Sequence, residues 1–180
     1  MNTATLYRCT HVDCKHAPLE ASDGGLSCKN GHIFPYASGT KVPVFACEHQ
    51  DANEYALEDA AIIHDNALRW VFNTFGSDED TLRKNLIARL QLSKGMKILV
   101  TGAGAGNDLP YIAKQLGKGG VIYAQDIAKQ MLLAGVERCS SELDALGVDV
   151  YFSASDATNL PFGDNVFDAA YHFGGLNLFP

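Results

Sequence analysis

No apolar run in this chain approaches the roughly 18 to 20 residues that a bilayer-spanning helix needs, and the opening MNTATLY has no basic stretch ahead of an apolar one. A membrane span and a secretory leader are therefore not expected, and the cytoplasm is the expected compartment. Positive charge is short as well. The 14 lysines and arginines stand against 21 acids, a net charge of −7, which argues against a broad nucleic-acid surface and leaves room only for a local basic patch. Cysteine is scarce and odd in number, five in 180 residues. A disulfide framework is thus disfavoured, and three of the five crowd near the amino end among histidines, which suits a metal. With 47% hydrophobic and 19% charged residues, the chain can bury one core plus a small appendage.

What is present is organised around Lys97 to Asp108, KILVTGAGAGND. Ile98, Leu99, Val100 and Thr101 have strand character and run into three alternating glycines, Gly102, Gly104 and Gly106, followed by a helix start at Asp108 to Pro110. Glycine lets the backbone take positive φ and lets a ligand approach the main chain, while the first N–H groups of the next helix point into that space. A glycine turn can also serve close helix packing. The second apolar run, Val121 to Tyr123, ends in Gln125 and Asp126, about twenty residues on, where a carboxylate at the end of a neighbouring parallel strand can accept from both ribose hydroxyls. Packing alone does not require that acid.

Cys9, Cys14, Cys28 and His32 form a C-x4-C-x13-C-x3-H arrangement, two short ligand pairs of the kind that give zinc its tetrahedron. We expect a zinc ribbon over residues 1–48, closed by a hairpin from Ile33 to Phe45, with His11 and His16 near enough to stand in for a ligand. The other reading is a set of buried free cysteines, and without metal so small a segment should be loose. Its charges cancel, a poor start for gripping RNA. Cys47 has no partner at ligand spacing and reads as a lone thiol.

Residues 49–95 read as two helices leading into the strand that carries the glycine turn. The first carries Ile63, Ala67, Trp70, Val71 and Thr74 on one expected buried face and ends at Gly76; the second is capped by Ser77 and buries Leu82, Leu86, Ile87 and Leu90. Beyond the glycine turn come a helix over Leu109 to Leu116, the Val121 strand, a helix over Ile127 to Leu146, a strand over Asp149 to Ser153, a loop, and a fourth strand from Ala169 to His172. Right-handed crossovers wind this β-α-β-α-β-loop-β order into an α/β, Rossmann-like parallel sheet over residues 96–180.

Three motifs in order now resemble the class I S-adenosylmethionine-dependent methyltransferases: the GAGAG turn, DIAKQML from Asp126 to Leu132, and SDATNLPFGDNVFDAAYHFGGLN from Ser155. The region from Asp126 to Leu132 also resembles quinone-type and other small-molecule methyltransferases. The resemblance implies the first half of that fold and S-adenosylmethionine as cofactor. Gly102, Gly104 and Gly106 would face the methionine part, Asp126 and the adjoining Ile127 the ribose, and Asp156 the adenine amino group with Ala157 beside it. The ribbon is similar to one that precedes the catalytic domain in some rRNA guanine methyltransferases. The implied reaction is direct displacement of a methyl group by an acceptor, with a small molecule favoured over rRNA because the ribbon is neutral. His172 is the candidate base; its other reading is a histidine hydrogen-bonded at a strand end. The chain has Val100 where the family commonly carries an acid, and it ends just beyond the fourth of seven expected strands. It reads as a fragment of a longer enzyme, with an unpaired strand edge open to association.

Two rivals stand beside this reading. An NAD(P)-dependent short-chain reductase shares VTGAGAG, but Asp108 stands where a third glycine would let the backbone reach a pyrophosphate, and LPFGDNVFD has no counterpart there. A non-catalytic scaffold that keeps the fold is the other.

Overall fold

The computed structural model describes residues 6–14, 16–45, 55 and 57–174; Cys47 and the expected start of the helical stretch near Asp51 lie outside them. A single 3₁₀ turn, Val12–Cys14, precedes three short strands, β1 (Leu19–Ser22), β2 (Gly25–Cys28) and β3 (Ile33–Pro35), paired antiparallel in that order. Tyr36 then bridges Pro43, and the Ala37 amide donates to the Val42 carbonyl at 2.8 Å, so the hairpin expected from Ile33 to Phe45 forms.

Helices α1 (Ala60–Phe75) and α2 (Glu79–Ala88) follow. Gly76 ends α1 in the left-handed conformation, as expected, but the buried face does not fall where periodicity placed it. Ile63 and Trp70 are 50% and 67% exposed, Val71 is exposed too, and the helix buries Ala60 and Ala61 instead. These small residues let its first turn close on Ala105, Ala128 and Met131 beside the glycine turn. Asp65, on the same side, pairs with Arg138 at 2.5 Å and accepts from Asn107 at 3.2 Å.

In α2 the cap is Asp78, not Ser77, and its carboxylate accepts from the Thr81 amide at 3.0 Å. Leu82 is exposed, whereas Arg83 is 3% exposed and lies beside Ile87 on the buried side. Arg83 reaches Asp108 at 2.6 Å and Glu79 at 2.8 Å, and its guanidinium lies 5.3 Å from the Phe173 ring centroid. Truncating one member of a buried ion pair typically costs about 3 to 5 kcal/mol, because the remaining charge stays buried without a partner. Arg83→Met is therefore expected to lower unfolding stability by about that range, read from urea denaturation, while Lys84→Met on the exposed side should leave the urea midpoint nearly unchanged.

The remaining elements are β4 (Lys97–Thr101), α3 (Leu109–Leu116), β5 (Val121–Asp126), α4 (Lys129–Ala145), β6 (Asp149–Ala154) and β7 (Ala169–Tyr171). The four strands are parallel in the order β6-β5-β4-β7. Side chains alternate across the sheet. Ile98, Val100, Ile122 and Ala124 join Leu109, Ile112, Leu116, Leu132 and Leu143 of α3 and α4 in one core. Leu99 and Tyr123 face the other way, into a core shared with Tyr7, Leu26, Phe34 and Phe45 of the amino-terminal segment and Phe162. That segment therefore covers one face of the sheet. It also lines the outer side of β6, where Val44 bridges Ala154, while β7 ends the sheet on the other side with no further strand among the described residues.

Candidate cofactor site and metal cluster

The chain passes from β4 outward through β5 to β6 and then returns to the other side of β4 for β7. In open parallel sheets, the carboxyl ends beside such a reversal are where ligands bind. Gly102, Gly104 and Gly106 sit there, all with positive φ, at 65°, 52° and 78°. Asp126 closes the end of β5 opposite them. Its two oxygens accept from the Gly104 amide at 2.7 Å and the Ala128 amide at 2.8 Å. Burial pushes its pKa above the ordinary carboxylate value, against the lowering effect of those amides. Ile127, next to it, is 37% exposed.

The three glycines do different work. A Cβ on Gly102 would lie 2.9 Å from Cε1 of His172, and one on Gly104 would be in ordinary contact with Met131. One on Gly106 would lie 2.9 Å from the Cys139 sulfur in α4, so its bare Cα serves helix packing as well as any ligand. Gly135 in the same helix, which sequence reasoning passed over, is the other half of this contact: a Cβ there would meet the Ala105 backbone at 3.1 Å. Its only signal was a glycine inside a helix, where the residue costs stability unless something needs the space. Gly106→Ala combines a left-handed backbone with overpacking, so we expect a loss of about 2 to 4 kcal/mol in thermal unfolding. Gly104→Ala, strained but not crowded, should lose about 1 to 2 kcal/mol.

His172 stands at the end of β7 with Nδ1 2.9 Å from the Thr101 carbonyl. A carbonyl only accepts, so Nδ1 carries the proton and Nε2 is the basic nitrogen. On the far side of the site, Asp156 accepts from the Thr158 amide and hydroxyl, both at 2.8 Å, in a turn that includes Ala157. Among the described residues, the buried oxygens of the Thr101 and Ser155 hydroxyls and of the Gln125 amide have no protein partner, although the Gln125 nitrogen donates to the Ser155 carbonyl. Buried polar oxygens at strand ends are normally satisfied by solvent or ligand. Asp108, at the start of α3, is paired with Arg83, so its charge is compensated within the protein.

The amino-terminal segment brings Cys9, Cys14, Cys28 and His32 together, with their ligand atoms within 4.8 Å of one another. Cys14 Sγ lies 3.1 Å from His32 Nδ1 and 3.6 Å from Cys28 Sγ, and Cys9 Sγ lies 3.6 Å from His32 Nδ1. A tetrahedral zinc with Zn–S near 2.3 Å and Zn–N near 2.0 Å separates its ligand atoms by roughly 3.5 to 3.8 Å, so the donor set fits. His11 does not stand in for a ligand. It stacks on His32 with centroids 3.8 Å apart and rings 4° from parallel, and His16 lies outside the cluster. Asn30 donates to the Cys14 sulfur at 3.2 Å. Burial raises the pKa of the Cys28 thiol, but hydrogen bonds from the Asn30 and His32 amides, with further help from the Cys14 and His32 side chains, outweigh it and leave that thiol below its ordinary value. Burial pushes the neighbouring Cys9 thiol the other way, up to about 12, so a metal would have to displace its proton.

Comparison with known proteins places the sheet. Residues 98–180 match the model of the family described as "Methyltransferase domain". The chain is 31% identical over 138 residues to the ubiquinone/menaquinone biosynthesis C-methyltransferase UbiE of Cupriavidus metallidurans, covering 74% of this chain and 55% of that one. It is 40% identical over 85 residues to the protein of the same name from Chromobacterium violaceum, covering 47% and 33% respectively. The chain thus spans about half the length, or less, of the curated relatives it matches. In structure it is similar to a Methanococcus maripaludis protein solved as a candidate S-adenosyl-L-methionine-dependent methyltransferase. The TM-score is 0.55 at 19% identity, over 75% of this chain and 57% of that one, a likeness of fold. With its glycine turn, its strand order and these relatives together, the chain belongs to the class I S-adenosylmethionine-dependent methyltransferases.

Proposed function

We propose that the chain forms the cofactor-binding half of a cytoplasmic enzyme that transfers a methyl group from S-adenosylmethionine to a small acceptor. The observation that carries the cofactor is Asp126, held at the carboxyl end of β5 by the Gly104 and Ala128 amides, at the place where an adenosine's ribose would lie. The quinone-type acceptor in the names of the relatives supports a small aromatic acceptor methylated at carbon. The cofactor would supply an activated methyl group. What the protein adds is position, which in well-aligned pairs removes roughly 7 to 11 kcal/mol of barrier.

In this reading Gly102 and Gly104 line the methionine end, and Asp156 with Ala157 the adenine. His172 Nε2 is the base that could take a proton from an acceptor at the end of β7. The Cys9, Cys14, Cys28 and His32 cluster holds one structural zinc. Elemental analysis of protein purified without added metal tests the zinc, with about one per chain expected and none counting against it. For the acceptor, the longer enzyme containing this segment is incubated with S-adenosylmethionine and a demethylated quinone precursor or rRNA. Methyl incorporation into the first alone supports the proposal, and incorporation into rRNA alone overturns the small-acceptor reading.

A further inference from the structure

The amino-terminal segment grips the loop that carries Asp156, before and after that residue. Ahead of it, Ala154 donates to the Pro43 carbonyl at 3.0 Å and accepts from the Phe45 amide at 2.8 Å. Behind it, Asn159 donates to the Thr10 carbonyl at 3.3 Å, and the Arg8 amide donates to the Pro161 carbonyl at 2.8 Å. Phe162 then bridges Tyr7 and stacks on its ring at 5.5 Å, while the Tyr7 hydroxyl donates to the Phe152 carbonyl at 3.0 Å. Two of these gripping residues, Arg8 and Thr10, flank Cys9 in sequence, and Cys9 is one of the four clustered ligands.

We infer that metal bound by Cys9, Cys14, Cys28 and His32 holds residues 8–10 in place, and that this stretch in turn positions the 155–162 loop for the cofactor. Arg8, Tyr7 and Asn159 act as positioning residues and touch no cofactor themselves. A loose loop is competent only part of the time, and apparent affinity falls in proportion to the competent fraction. The inference rests on the cofactor reading above for its effect on binding, but its effect on the loop stands apart from it.

The test is therefore made in two readouts on the full chain. Amide hydrogen exchange is followed across residues 154–162 with zinc present, after chelation, and after zinc is returned. Calorimetric titration with S-adenosylhomocysteine is run on the same samples. The expected result is loss of protection in the loop on chelation, its recovery with zinc, and an affinity that falls about tenfold if the competent fraction drops to a tenth. Protection in β4 and β5 should persist. Unchanged protection in the loop overturns the inference whatever the ligand does. A protected loop in a zinc-loaded chain that binds no S-adenosylhomocysteine overturns the cofactor reading instead, together with the affinity part of the inference.

Chelation could unfold the whole chain, so Phe162→Leu provides the second arm. It removes the aromatic contact with Tyr7 and leaves every metal ligand in place. Faster exchange in the loop and weaker binding at full zinc content support the inference; wild-type exchange and wild-type affinity overturn it.

Discussion

Asp126→Ala is expected to abolish measurable binding of S-adenosylhomocysteine, a loss of about a hundredfold or more. A hydrogen bond to a charged group contributes about 1.5 to 3 kcal/mol, and the ribose would offer its carboxylate two. The same substitution strips the Gly104 and Ala128 amides of their acceptor, so the glycine turn loses its anchor as well as its ligand partner. Asp126→Asn separates the effects, because an amide oxygen can still accept from one of the two N–H groups. It should fold better than the alanine variant and still bind poorly.

Acid dependence follows from the same group. Its pKa is raised in the folded chain by burial, so its contribution to stability is present at low pH and is lost as pH rises from the ordinary carboxylate value through the raised one. Binding has the opposite slope. Ribose hydroxyls donate best to the ionised form, so affinity should fall on acidification with a midpoint above the ordinary value near 3.9. In Asp126→Asn that dependence should vanish.

The second large effect is metal removal. Phe34, Phe45 and Tyr7 are each 2% exposed or less, and they reach that burial in a core that the small amino-terminal sheet shares with Leu99 and Tyr123. The sheet has only three short strands to order it. Structural zinc is worth on the order of 10 kcal/mol to peptides of this kind. Cys28→Ser, or a chelator, should therefore release the segment from the sheet and expose these aromatic rings. Tyrosine fluorescence, dye binding and a lower unfolding temperature report it. An identical melting curve with and without metal would mean that the shared core holds the segment unaided.

Much of the cofactor half could be read directly. An uninterrupted strand, a glycine turn and an acid on the next strand are local patterns, and β4, β5 and Asp126 stand where they were expected. The gathering of Cys9, Cys14, Cys28 and His32 was legible for the same reason, since spacing along the chain constrains geometry in space. What was not legible is how separate pieces meet. Nothing in Tyr7, Phe34 or Phe45 says that they pack on the far face of a parallel sheet, because an apolar side chain does not specify its partner. The stripe on α1 misled by the same limit. Ile63 and Trp70 keep helical spacing, yet two alanines make the contact because small side chains let the helix approach the glycine turn. Nothing in the sequence sets Arg83 apart from the other charges of its helix, and only the fold reveals that it is buried against Asp108.

The most direct test is calorimetric titration of the zinc-loaded chain with S-adenosylhomocysteine and, separately, with NADPH. The account expects saturable micromolar binding of the first, lost in Asp126→Ala, and no heat from the second. Binding of NADPH with none of S-adenosylhomocysteine would contradict it.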